Sequence, residues 1–128
     1  MPRKNYIAVH TYLSEEAKNI MQTKPDDRPE DFTDKDWCKM MTFEKAQCMQ
    51  MWMGTDDFFF CHWSAETDQD VHDCLDLVGT GTMIQTICYE AKRFASFYNQ
   101  TGDRLVYIQN EKKKDKKKKK KNKKREDS

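Results

Sequence analysis

Alternating apolar and polar side chains predict the strands of this chain. The period of two is clear in four segments and weaker in a fifth, near the end of the apolar part of the sequence. Turn-forming residues separate the second segment from the third, so these two form a hairpin. The predicted strands are Tyr6–Leu13, Ala46–Met53, Phe58–Trp63, Thr82–Glu90 and the short Leu105–Ile108.

Helical periodicity follows three residues that are typical helix caps. Ser14 precedes two acids and an apolar stripe, and Thr33 precedes a short segment that contains Trp37. Thr67 begins a run with apolar residues at i, i+3, i+4 and i+7, which ends at Gly79. The pattern therefore predicts three helices, one of them short.

The elements follow one another in the order β-α-(α)-β-β-α-β. This order predicts an α+β fold of the ferredoxin-like kind, β-α-β-β-α-β, with a four-stranded antiparallel sheet and the helices on one face. The other face of such a sheet stays open. Because aromatic residues occur on both sides of the predicted strands, we expect a second copy of the chain to cover the open face, which gives a homodimeric α+β barrel.

The charges divide the chain into two parts. Residues 1–110 contain 11 Lys and Arg against 18 Asp and Glu, a net charge of −7, and residues 111–128 contain 12 Lys and Arg against four acids, a net charge of +8. All the apolar residues lie in the first part. We therefore expect a folded domain over residues 1–110 and a disordered lysine-rich tail over residues 111–128.

The five cysteines show neither the spacing of a zinc ribbon nor that of a redox motif. Each lies in an apolar stretch, where a free thiol packs as a small hydrophobic group. We expect them to be reduced and buried, which favours a cytoplasmic protein. If the source is a eukaryote, the tail would also suit nuclear import.

Two histidines are candidate metal ligands. If Val9 faces the helices, its neighbour His10 faces away from them, and an inward Cys61 likewise turns His62 to the open face. The two strands are neighbours in the predicted sheet, and Glu90 on the last strand could join the two imidazoles. Such a set suits a divalent transition metal such as Ni or Zn. Separate polar positions on a half-exposed sheet would give the same pattern.

The same assignment of faces places three aromatic residues around this predicted site. Tyr6 and Tyr12 share the side of His10, and Trp52 lies on the open side of the second strand. We expect these three to line a cavity that binds a cofactor or another small ligand.

A run of alternate methionines, Met49, Met51 and Met53, gives a second candidate site. Thioethers can bind Cu(I), especially beside Cys48 or Cys61. A strand that packs its apolar side against helices has the same pattern, and we expect these methionines to face the helices as core.

The stretch from residue 52 to residue 90 resembles a family of small ferredoxin-like, nickel-binding bacterial proteins. That family has a tryptophan-containing strand, a tight turn, an aromatic-Cys strand, an alanine, a capped helix that ends near glycine, and a last strand. The matching residues here are Trp52, Phe60-Cys61, Ala65, Thr67-Asp68, Gly79 and Glu90. The family usually has Glu before the alanine, where this chain has Ser64, so one ligand that the resemblance implies is absent.

These observations leave three functions open. The first is a small intracellular protein that binds a metal ion or a small ligand on the open face of a homodimer. The second is a dimeric α+β barrel enzyme, because the topology also resembles small monooxygenases and haem-degrading enzymes; His10 or His62 would then act as general base. The third is an interaction module whose residues 112–125 bind nucleic acid or an anionic membrane.

Overall fold

A computed structural model describes residues 2–109, and the predictions for the lysine-rich tail lie outside these residues. Contacts divide the chain into one unit that ends at Ala91 and another that begins at Lys92. The predicted boundary at residue 110 also lies outside the described residues. Among the described residues, no helix is both long enough and apolar enough to span a bilayer.

The first unit contains four strands and three helices. They occur in the order β1 (Lys4–Tyr12), α1 (Glu15–Gln22), α2 (Asp34–Met40), β2 (Ala46–Trp52), β3 (Phe58–Ala65), α3 (Asp68–Leu77) and β4 (Ile84–Ala91). The strands form one sheet in the order β2-β3-β1-β4, and every neighbouring pair is antiparallel. The predicted α+β class, the sheet and the helices are confirmed, and the strand order is compatible with the ferredoxin-like arrangement.

The three helices begin at the predicted caps. The Ser14 hydroxyl accepts a hydrogen bond from the Ala17 amide at 3.0 Å, which satisfies one of the free amides of the first turn. Thr33 and Thr67 each form a capping box with the acid three residues later. Gly79 follows α3 with φ +78°, a backbone conformation that favours glycine.

The core lies between the helices and one face of the sheet. Buried side chains of α3 meet buried side chains of all four strands, and α1 and α2 contribute partly buried residues at the edge of this cluster. We call the helix-covered side of the sheet the inner face and the other side the open face. The buried sheet residues of the core are Tyr6, Ala8, Tyr12, Ala46, Cys48, Phe59, Cys61, Trp63, Ala65 and Ile84.

The predicted facing of β1 is wrong. Tyr6, Ala8 and Tyr12 are buried against the helices, whereas Ile7 and Val9 lie on the open face and are half-buried. Alternation divides the side chains of β1 into two sets, one on each face of the sheet. Because both sets contain apolar residues, the pattern does not show which set faces the helices. Ala8 is fully buried, and its small side chain lets the helix layer approach the sheet.

The methionine run is more exposed than its predicted role in the core implies. Met49, Met51 and Met53 are 39–47% exposed. A β-bulge between Cys48 and Gln50 breaks the alternation of β2, so that Cys48 and Met51 lie on the same face. Among the cysteines, Cys38 is exposed although we predicted it to be buried.

The described part of the second unit, residues 92–109, has little regular structure. The predicted strand Leu105–Ile108 is absent, because residues 101–107 adopt neither helix nor strand. The Arg93 guanidinium lies 5.9 Å from the centre of the Tyr107 ring. Phe97 and Tyr98 are 85% and 98% exposed.

Candidate functional site on the open sheet face

Cross-strand register arranges the open face into rows. One row runs across all four strands and is entirely apolar, and we call it the apolar row. With strands about 4.8 Å apart, it extends roughly 14 Å. Its members are Trp52 on β2, Phe60 on β3, Val9 on β1 and Ile87 on β4.

The aromatic residues of this face are accessible to solvent. The Trp52 and Phe60 rings lie 5.3 Å apart, and the Phe58 and Phe60 rings lie 6.5 Å apart and are stacked. These three side chains are 38–46% exposed, and Ile87 is 51% exposed. A contiguous apolar patch of this kind is typical of an interaction surface.

A polar cluster adjoins the apolar row. We call it the polar corner, and it consists of Asn5, Gln50 and His62. Gln50 Nε2 lies 3.3 Å from His62 Nδ1, and Asn5 Oδ1 lies 2.9 Å from His62 Nε2. An amide nitrogen can only donate and an amide oxygen can only accept, so His62 carries its proton on Nε2.

His62 favours its neutral form. Burial lowers the pKa of His62 below its usual value, because the imidazolium would lose hydration. The amide of Gln50 donates to the Nδ1 lone pair, the atom that would otherwise accept a proton or bind a metal. His62 in this arrangement is a fixed hydrogen-bonding group.

His10 lies on the inner face, in the core. Its Nδ1 is 2.7 Å from the Thr86 hydroxyl, and its ring centre is 4.6 Å from that of Phe59. Its Nε2 is buried and has no hydrogen-bond partner among residues 2–109. Burial and, to a smaller extent, electrostatic repulsion from His72 lower the pKa of His10 to about 4.

The predicted set of His10, His62 and Glu90 does not form one site. His10 pairs across the sheet with Phe59 and lies on the inner face, whereas His62 pairs with Ile7 and lies on the open face. The sheet therefore separates the two imidazoles. Among residues 2–109, no three side chains of His, Cys, Asp or Glu are grouped so that they could hold a metal ion.

The predicted aromatic lining is corrected in the same way. Tyr6 and Tyr12 are buried on the inner face, so they cannot line a cavity on the open face. Trp52 lies on the open face as predicted. Sequence reasoning missed Asn5 and Ile87, because the assumed facing of β1 also misplaced the residues around it.

We compared the chain with models of protein families, with curated proteins and with solved structures, and none of these comparisons found a match. Function is therefore argued from the residues of the open face and of the hairpin beside it.

Proposed function

We propose that the protein is a homodimer that binds a small organic ligand between the open faces of two copies. The observation that supports this function is the apolar row of exposed side chains beside the polar corner. An apolar surface with a few fixed polar groups at one side is the usual composition of a small-molecule site.

The ligand that fits this face has a flat apolar body and a hydrogen-bonding group at one end. The rings of Trp52 and Phe60 offer surface for stacking, and Ile87 extends that surface to the far edge of the sheet. Asn5 and Gln50 each carry a second amide atom besides the one that contacts His62. These amides would bind the polar end of the ligand and fix its orientation.

A second copy is the partner that encloses such a ligand. A single open sheet leaves one side of the ligand in water, whereas small-molecule sites usually bury most of the ligand surface. Two copies related by a twofold axis bring the same apolar row to both sides. The charge of the chain does not favour an alternative single-stranded nucleic acid here, because residues 1–110 carry a net charge of −7.

Light scattering of the full-length protein at micromolar concentration tests the dimer. Ile87→Lys places a charge in the apolar row and should give a monomer. Ile20→Lys is the matched control, because Ile20 lies on α1 and is 55% exposed, compared with 51% for Ile87. The wild type and the control should both be dimers. A monomeric wild type, or a dimeric Ile87→Lys, would contradict the proposal.

Binding is tested with the fluorescent probe anilinonaphthalene sulfonate, which reports apolar sites. The wild type should enhance the fluorescence of the probe and transfer energy to it from Trp52. Ile87→Lys should lose most of this signal, and Ile20→Lys should keep it. If both lysine variants behave like the wild type, the open face is not the binding site.

A further inference from the structure

Two buried thiols lie together on β2 and β3. Cys48 and Cys61 are 3% and 4% exposed, on the inner face of the hairpin that these strands form. A side-chain hydrogen bond with Cys48 raises the pKa of the Cys61 thiol, and burial raises it further. The Cys48 thiol also lies 3.6 Å from the carbonyl oxygen of Gln50. Cys48 pairs with Trp63, two residues from Cys61, so the two thiols are diagonal neighbours on one face of the hairpin, and both cysteines are free.

A methionine shares the face of these thiols. Met51 lies directly opposite Cys61 in the register of β2 and β3, so the two side chains project from the same side of the sheet. The bulge after Cys48 produces this arrangement, because unbroken alternation would place Cys48 and Met51 on opposite faces. Three sulfur-containing side chains thus share one face of the hairpin.

This methionine is not explained by core packing. A methionine that fills the core should be buried, but Met51 is 39% exposed on the edge strand. It lines an open groove of about 500 Å³ at the end of the hairpin, together with Met53 and Phe59. The Met51 side chain is therefore accessible to an ion from solvent.

We propose that Cys48, Cys61 and Met51 form a binding site for one Cu(I) ion. Thiolate and thioether sulfurs are soft ligands that favour Cu(I). Zn also binds thiolates, but its structural sites take four ligands, more than two thiols and one thioether supply. In the binding step two Cu–S(thiolate) bonds form, the two thiol protons are released to solvent, and the thioether donates a lone pair without losing a proton. Copper stays in the +1 state throughout.

The site is independent of the ligand proposed for the open face. Trp52 and His62 lie on that face, whereas the two thiols lie on the opposite one. Because protons compete with the metal for the thiolates, the affinity for Cu(I) should increase as pH rises.

Anaerobic titration of the reduced full-length protein tests the site, with bathocuproine disulfonate as a competing chelator for Cu(I). The wild type should bind one Cu(I) per chain and develop ultraviolet thiolate-to-copper absorption. Cys48→Ser and Cys61→Ser should each lower the affinity at least tenfold and weaken this absorption. Cys74→Ser and Cys88→Ser are matched controls, because these cysteines lie on α3 and β4, and they should bind as the wild type does.

Met51→Leu decides the result if a buried cysteine variant fails to fold. The exposed position tolerates the change, so this variant should fold, as circular dichroism can show, and should bind Cu(I) about tenfold more weakly. Met53→Leu is its control and should keep the wild-type affinity. Three results would overturn the proposal. The first is no Cu(I) binding by the wild type, and the second is an unchanged affinity for Cu(I) in Met51→Leu. The third is a loss of affinity in Cys74→Ser or Cys88→Ser equal to that in Cys61→Ser.

Discussion

Ile7 lies directly opposite His62 across strands β1 and β3. The His62 imidazole therefore belongs to the open face, and Asn5, two residues before Ile7 on the same strand, reaches its Nε2 atom at 2.9 Å. Gln50 contacts the other ring nitrogen from the strand on the far side. The two amides thus hold the His62 ring in place and determine which ring nitrogen carries the proton.

Gln50→Glu should raise the pKa of His62. The new carboxylate would stabilise the imidazolium, whereas the amide of Gln50 donates to the neutral ring. A nuclear magnetic resonance titration of the ring signals measures this pKa. Gln47→Glu is the control, because Gln47 pairs with Ser64 and should cause a smaller rise. An equal rise in both variants would show that Gln50 does not set the protonation of His62.

His10 should make the protein sensitive to acid. Its pKa is about 4 in the folded chain and about 6.5 when unfolded, so the folded state disfavours the proton. The stability contributed by the neutral ring is therefore complete above pH 6.5 and falls as pH decreases towards 4. The full loss corresponds to about 3 kcal/mol.

Urea unfolding at several pH values between 7 and 4 measures this loss. His10→Leu should be less sensitive to pH across the same range, although it loses the contact with the Thr86 hydroxyl. The pKa of His62 is lowered as well, so the difference between the wild type and His10→Leu isolates the effect of His10. Identical pH profiles for the two proteins would contradict the prediction.

Thr67→Ala should destabilise the fold by about 1 kcal/mol, because it removes the cap of α3. That helix buries Val71, Cys74 and Leu75 in the core, so fraying at its start weakens the whole unit. Thr33→Ala removes the equivalent cap of α2, a helix with no buried residue, and should have a smaller effect on the global transition. Thermal unfolding compares the stability of the two variants. A larger loss of stability in Thr33→Ala than in Thr67→Ala would contradict the prediction.

Gly79→Ala should cost about 1 kcal/mol of stability, because the residue after α3 has φ +78°. Gly54→Ala is its control in the β2–β3 turn. No heavy atom lies within 4 Å of a Cβ added there, and φ is not positive. Denaturant unfolding should therefore show little change for Gly54→Ala. Equal losses of stability in the two variants would mean that the positive φ of Gly79 does not cause the loss in Gly79→Ala.

The sequence predicts the elements of this fold better than it predicts their facing. Alternation locates β1 to β4, and cap residues locate the three helices, because both signals are local. The facing of β1 depends on which set of apolar side chains the helices cover, and β1 is the strand next to both β3 and β4. The facing of β1 places His10 on the inner face. For that reason His10 and His62 do not form the predicted two-histidine site.

The bulge in β2 has no clear local signal either. An extra residue between Cys48 and Gln50 changes the face of every position after it, so Met51 shares a face with Cys48 although the two are three positions apart. Simple alternation puts these two on opposite sides. The sequence therefore suggests methionines beside Cys48 or Cys61, but only the register shows that Met51 shares a face with both thiols.

The central position of β1 has a consequence for synthesis. This strand is made first, yet both of its partners come later, and the contact between His10 and Thr86 spans 76 residues. Until β3 and β4 leave the ribosome, β1 has two unpaired edges and a row of apolar side chains on each face. The nascent chain therefore exposes this central strand for longer than any other strand of the sheet. Pairing β1 with β4 also closes a long loop late in synthesis. Slow translation between residues 12 and 84 would prolong this exposure and increase the need for a chaperone that binds extended apolar segments.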